Sequence, residues 1–261
     1  MFTSFHLVLF SPWPILVAFS VWGMIVSGLL YMHFKFIGML LLNVAILFVV
    51  LFLWFGDVEV ESWLGYHSRV VVSGLRLGVV LFIVSEVFFF FGFFWSFFHN
   101  CLTPSFVVNT WPPYGFSGVL VDPYGFPLFN TILLLSSGVS ITLSHHCLLV
   151  RSYSVSLASL LITLLFGFLF LGVQFEEYSL SDFSVNSSVY GTVFYLLTGF
   201  HGFHVIVGFC MISFVGIRYL GSICLSDSQH VGFEAAAWYW HFVDVVWIFL
   251  YIFIYWYGYI V

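Results

Sequence analysis

The chain has 261 residues, 62% of them hydrophobic and only 6% charged, with a mean hydropathy of +1.14. A soluble domain carries about 25% charged residues, so this composition excludes one and points to an integral membrane protein. Five Lys and Arg against eleven acids exclude nucleic acid as a partner, and the net charge of −6, read as loop acids, says little about a substrate.

A membrane-spanning helix requires ~20 mostly apolar residues. Seven stretches meet that need, at about 12–34, 36–55, 70–99, 126–150, 154–175, 189–220 and 230–258. The opening run Met1-Phe2-Thr3-Ser4-Phe5-His6 lacks the marks of a transit peptide or a secretory signal, so no leader is expected to be removed. Spans one and two are split only by a polar break at His33 and Lys35, which predicts an antiparallel hairpin. The loop Asp57–Arg69 carries three acids and His67. Span three opens with Gly74 and Gly78, a small-residue spacing that permits close helix contact. At its middle Glu86 is flanked at helical spacing by Phe82, Phe89, Phe90 and Phe93. A carboxyl there favours its neutral form unless a cation or water compensates. It is either a proton-exchanging group or an acid hydrogen-bonded to a neighbouring helix.

The loop 100–125 holds Pro104, Pro112, Pro113 and Pro123, which forbid regular structure. Span four ends in adjacent His145 and His146, which point ~100° apart on a helix and do not readily share an ion. Glu176, Glu177 and Asp182 read as loop acids after span five. In span six, Gly199, Gly202 and Gly208 accompany His201 and His204. That pair could hold one haem or metal, or could hydrogen-bond across a glycine-lined contact. Membrane haem sites usually take one His from each of two helices, so packing is the favoured reading. On span seven, Glu234, Trp238, His241, Asp244, Tyr251 and Tyr255 fall on one stripe, which predicts a protein-facing side. Ala236, Phe242, Val246, Phe249 and Phe253 are expected to face lipid. His241 and Asp244 read as a structural polar pair rather than a proton relay. Cys101, Cys147, Cys210 and Cys224 show no metal-type spacing and read as buried free thiols.

Arg69, Arg76, Arg151 and Arg218 lie beside loops 2–3, 4–5 and 6–7, and Lys35 alone lies beside the others. Under the positive-inside rule this places the amino terminus inside and the carboxyl terminus outside.

Several blocks carry a resemblance. Phe233 to Tyr251 closely resembles the last helix of cytochrome c oxidase subunit III. Ser11-Pro12-Trp13-Pro14, Ser85-Glu86-Val87-Phe88-Phe89-Phe90, Ser137-Gly138-Val139-Ser140-Ile141-Thr142 with His145-His146, and Thr198-Gly199-Phe200-His201-Gly202-Phe203-His204 are similar to other blocks of that family, in its order. The resemblance implies an all-α polytopic membrane protein forming a single domain over 1–261. Helices 1–2 (about 12–55) would lean away from helices 3–7 (about 70–258), leaving a V-shaped lipid cleft. It implies a non-catalytic core subunit of respiratory complex IV that stabilises the catalytic subunits and supports proton uptake and oxygen access. Subunits I, II and accessory subunits are the implied partners, with haem and copper held by partners and none by this chain. Glu61, His67 and Arg218 match positions that hold phospholipid headgroups, although the loop is shorter by one residue and Val60 replaces a basic residue. Glu86, His201, His204, Glu234, His241 and Asp244 are the expected buried ionisable groups, and no catalytic or metal-ligating residue is expected. The implied location is the mitochondrial inner membrane, with the amino terminus in the matrix and the carboxyl terminus in the intermembrane space.

Two other functions compete. A retinal protein needs a lysine in its last helix, and the only lysine is Lys35. A proton channel would need Glu86, His201/His204 and His241/Asp244 to line one path.

Overall fold

The computed structural model describes residues 10–102, 111, 120–220 and 230–260. Most of the proline-rich loop, Cys224 and the first nine residues lie outside the described residues. Of the other thiols expected to be buried, Cys101 is, Cys147 is half-buried and Cys210 is exposed. Seven helices are long and apolar enough to cross a membrane, and no strand occurs among the described residues. They are α1 (Trp13–Phe34), α2 (Gly38–Trp63), α3 (Arg69–Leu102), α4 (Phe126–Leu149), α5 (Tyr153–Leu180), α6 (Val189–Leu220) and α7 (Val231–Leu250). A π-helical stretch, Tyr251–Tyr257, continues α7 and ends in a last turn at Gly258–Ile260. The chain is an all-α, multi-pass membrane protein.

Two helices outrun their apolar runs. α2 continues through Asp57, Glu59 and Glu61 to Trp63, so the predicted acidic loop is mostly helix and only 64–68 turn. α5 likewise runs past Glu176 and Glu177 to Leu180. In hydrocarbon and at its border, the backbone keeps its hydrogen bonds internal whatever the side chain. Two helix ends use a basic residue in the left-handed region, Lys35 (φ 57°) and Arg151 (φ 61°), where glycine is usual. Both are cations at a helix carboxyl terminus, which the helix dipole favours. Lys35 also places its ammonium 5.8 Å from the Tyr31 ring centroid.

The chain divides into two compact units, Met1–Leu77 and Gly78–Val261, so the division falls inside α3. In the first unit α1 and α2 pair as a hairpin. The Trp13 indole donates to Asp57, and Asn43 of α2 sits where a Cβ on Gly23 of α1 would stand.

In the second unit α4 to α7 enclose the core. Between helices in lipid the hydrophobic effect is weak, so close packing and hydrogen bonds hold the bundle. Short polar side chains join α4 to α5, with Ser140 Oγ 2.7 Å from Thr163 Oγ1 and Ser144 Oγ 2.8 Å from the Ser156 carbonyl. Trp240 of α7, fully buried, is clasped between Gly167 of α5 and Gly208 of α6, where added Cβ atoms would stand 2.8 and 2.9 Å from the indole. Its Nε1 donates to Ser137 Oγ at 2.9 Å.

The other predicted glycine contacts differ. An added Cβ on Gly74, Gly78, Gly199 or Gly202 meets nothing within 4 Å among the described residues. The predicted faces of α7 also change. Ala236, Phe242 and Val246, expected against lipid, are buried, and the exposed stripe is Trp238, Val245, Phe249, Ile252 and Trp256. Neighbouring helices cover most of this helix, and aromatic and small residues fill those contacts as readily as polar ones do.

Candidate functional site

Glu86 and His204 meet in the second unit. His204 Nε2 lies 2.9 Å from Glu86 Oε2, and its Nδ1 lies 2.7 Å from the Phe200 carbonyl oxygen. A carbonyl only accepts, so Nδ1 carries the hydrogen. The Glu86 contact then holds one proton, either on the carboxyl and donated to a neutral ring or on the ring and donated to a carboxylate. Both arrangements are neutral overall, which suits a pair with side chains only 22% and 7% accessible. Rings wall the pair in. Phe90 lies 5.1 Å and Phe242 6.1 Å from the imidazole centroid, and Tyr239 stacks on it at 6.2 Å.

His201 turns elsewhere. Its Nε2 donates to the Val243 carbonyl at 3.2 Å, and its ring lies between Trp247 and Phe170 at 5.1 and 5.6 Å. The two histidines of α6 therefore have separate partners, His204 on α3 and His201 on α7.

His241 and Asp244 lie on an open groove between α4 and α7. It has a volume of about 530 Å3 and is lined also by Gly138, Thr142, Leu135 and Val245. His241 Nε2 lies 3.3 Å from Thr142 Oγ1, and its Nδ1 lies 3.6 Å from Asp244 Oδ2. Gly138 admits that carboxyl, since a Cβ there would be 2.6 Å from Oδ2. Asp244 Oδ1 has no hydrogen-bond partner among the described residues, and the His241 side chain is 44% exposed.

Glu234, in the first turn of α7, lies 3.2 Å from His230 Nε2. Glu61 stands in the last turn of α2, His67 in the following turn, and Arg218 near the end of α6, all half-buried.

One buried cluster escaped the sequence reading. Glu177, 3% exposed, accepts at Oε1 from the Tyr255 hydroxyl (2.6 Å) and from Gln174 Nε2 (3.2 Å). Asn130 Nδ2 of α4 donates in turn to Gln174 Oε1 at 3.3 Å. Tyr255, in the π-helical stretch that continues α7, is buried and faces that carboxyl. A signal existed in the pair Gln174 and Glu177, one helical turn apart behind a long apolar run.

Comparison with known proteins agrees with this architecture. Residues 3–259 match the family model described as cytochrome c oxidase subunit III. Proteins named cytochrome c oxidase subunit 3 from Triticum aestivum and Arabidopsis thaliana are each 48% identical over 260 residues, covering 98% of this chain and 97% of theirs. The protein of that name from Branchiostoma lanceolatum is 44% identical over 260 residues, covering 97% of this chain and 96% of its own. Seven membrane-length helices, the ordered sequence blocks and full-length similarity agree, and the chain belongs to the cytochrome c oxidase subunit III family.

Proposed function

We propose that this chain is a non-catalytic core subunit of the oxidase, binding beside catalytic subunits I and II and steadying them. The observation that carries the reading is the groove between α4 and α7. Near the middle of a membrane span, it presents the His241 imidazole, 44% exposed, with the buried Asp244 carboxyl behind it. Acyl chains cannot satisfy an exposed imidazole, whereas a partner subunit's transmembrane helix carrying a hydrogen-bonding side chain can. Haem and copper belong to the partner subunits in this reading, and oxygen is reduced there. The Glu86–His204 pair supports a subordinate part in proton uptake, because its contact can hold one proton between two side chains.

Phospholipid completes the proposal. Glu61, His67 and Arg218 supply donors and acceptors at helix ends, the level of lipid headgroups, in the cleft that the family resemblance implies. The whole chain then acts as one membrane domain. It lies in the mitochondrial inner membrane, with the amino terminus in the matrix and the carboxyl terminus in the intermembrane space, as the arginine distribution supports.

The test is retention. His241→Ala with Asp244→Ala should let this chain wash out of the detergent-purified oxidase while haem and copper stay at native stoichiometry. A double variant retained as firmly as the native chain would rule out the groove as the docking contact.

A further inference from the structure

Where the carboxyl end of α4 meets the start of α7, three metal-ligating side chains converge. His145 comes from the last turns of α4, His230 immediately precedes α7, and Glu234 stands one turn later. One ligand atom of each lies within 4.8 Å of the other two. His230 Nε2 and Glu234 Oε1 are 3.2 Å apart, and their side chains are only 8% and 12% exposed. The His145 ring is fixed beside them, stacked on Phe233 at 5.4 Å and 5.5 Å from the His230 ring. Its Nε2 is buried and has no hydrogen-bond partner among the described residues, and the same holds for His230 Nδ1.

We propose that His145, His230 and Glu234 bind one divalent transition-metal ion, zinc by preference, and so tie the start of α7 to the end of α4. Two imidazole nitrogens and a carboxylate oxygen form a donor set that zinc takes, with the fourth position left for water. Bonds of ~2.0–2.1 Å at tetrahedral angles set ligand atoms roughly 3.3 Å apart, which the His230–Glu234 pair already matches. The His145 nitrogen lies within 4.8 Å of both. This departs from the expectation that the chain holds no metal. That expectation weighed His145 against its neighbour His146, and the second imidazole comes from another helix instead. The site is separate from the groove and from the Glu86–His204 pair, so it stands whether or not either has the part proposed above.

The experiment uses the assembled oxidase, stripped with a chelator and titrated with zinc chloride, and counts zinc per complex by elemental mass spectrometry. The native complex should take up one more equivalent than complexes carrying His145→Gln or His230→Gln, and His146→Gln should keep that equivalent. Equal uptake by native and variant complexes, or equal loss from His146→Gln and His145→Gln, would overturn the proposal. Should the variants fail to assemble, crystals or grids of the native complex soaked in micromolar zinc decide the question. Density or anomalous signal within bonding distance of the three side chains supports the site, and its absence there overturns it.

Discussion

Glu86→Gln separates the two things a carboxyl can do beside His204, which are to hold a hydrogen bond and to exchange a proton. With His204 Nδ1 on the Phe200 carbonyl, a neutral ring presents Nε2 as an acceptor at 2.9 Å. A glutamine amide can donate there in the same geometry, so the bond survives while titration is lost. Glu86→Ala leaves that nitrogen without a donor in a side chain that is 7% accessible. An orphaned buried polar group costs about 1–3 kcal/mol, or roughly five- to 150-fold in a folding or assembly equilibrium. Hydrogen bonds between membrane helices average about 0.6 kcal/mol, so the Gln variant should stay within about that of native. The assay measures thermal dissociation of the chain from purified oxidase, together with oxygen consumption and protons pumped per electron. Glu86→Gln should assemble, consume oxygen near the native rate, and alter at most proton coupling or durability under turnover. Complete loss of oxygen consumption in a fully assembled Gln complex would refute the subordinate role, and a Gln variant as unstable as the Ala variant would refute the hydrogen-bond assignment.

Further substitutions probe the rest of the chain. Gly208→Ala drives a Cβ to 2.9 Å from an indole already clasped by Gly167, and should cost about 1–3 kcal/mol by thermal melting. Gly202→Ala, where an added Cβ meets nothing within 4 Å, should be neutral or slightly stabilising. Tyr255→Phe removes the shorter donor to Glu177 and should cost about 1 kcal/mol. A double-mutant cycle with Glu177→Gln should then show a coupling of at least about 0.5 kcal/mol, and purely additive effects would contradict the contact. Replacing both His67 and Arg218 by Ala should lower the phospholipid that co-purifies with the oxidase, measured by lipid mass spectrometry, and unchanged lipid would remove them from headgroup binding.

The number and order of the helices were legible because 20-residue apolar runs have few other uses. The α1–α2 hairpin was legible too, since only His33 and Lys35 break the run. Helix ends were harder to read. Counting apolar residues stopped α2 near Phe55 and α5 near Phe175, yet both helices continue through their acids to Trp63 and Leu180. An acid ends an apolar run, but it does not end a helix whose backbone gains nothing by opening. Glycine spacing misled for a related reason. It marks where a helix can be approached closely, and the neighbour decides whether that permission is used, as Trp240 does at Gly167 and Gly208, Asn43 at Gly23 and Asp244 at Gly138.

The candidate sites show the same division between what one helix encodes and what a neighbour supplies. Local spacing suggested pairing His201 with His204 and pointed His145 and His146 apart. In the fold each ring instead finds a partner elsewhere: His204 takes Glu86 of α3, His201 the Val243 carbonyl of α7, and His145 lies against His230 and Phe233. Periodicity shows which residues of one helix share a face, but it carries no information on which helix that face meets. Glu177 makes the point most sharply. Alone it reads as a surface acid just beyond the bilayer, and its partner is the Tyr255 hydroxyl, whose inward side was legible from spacing but whose meeting with α5 was not. A carboxyl so placed has its hydrogen-bond donors on α5 and on the continuation of α7, and Gln174 links it onward to α4. The polar contacts that knit this bundle are therefore properties of pairs of helices, and they become readable only once the pairs are known.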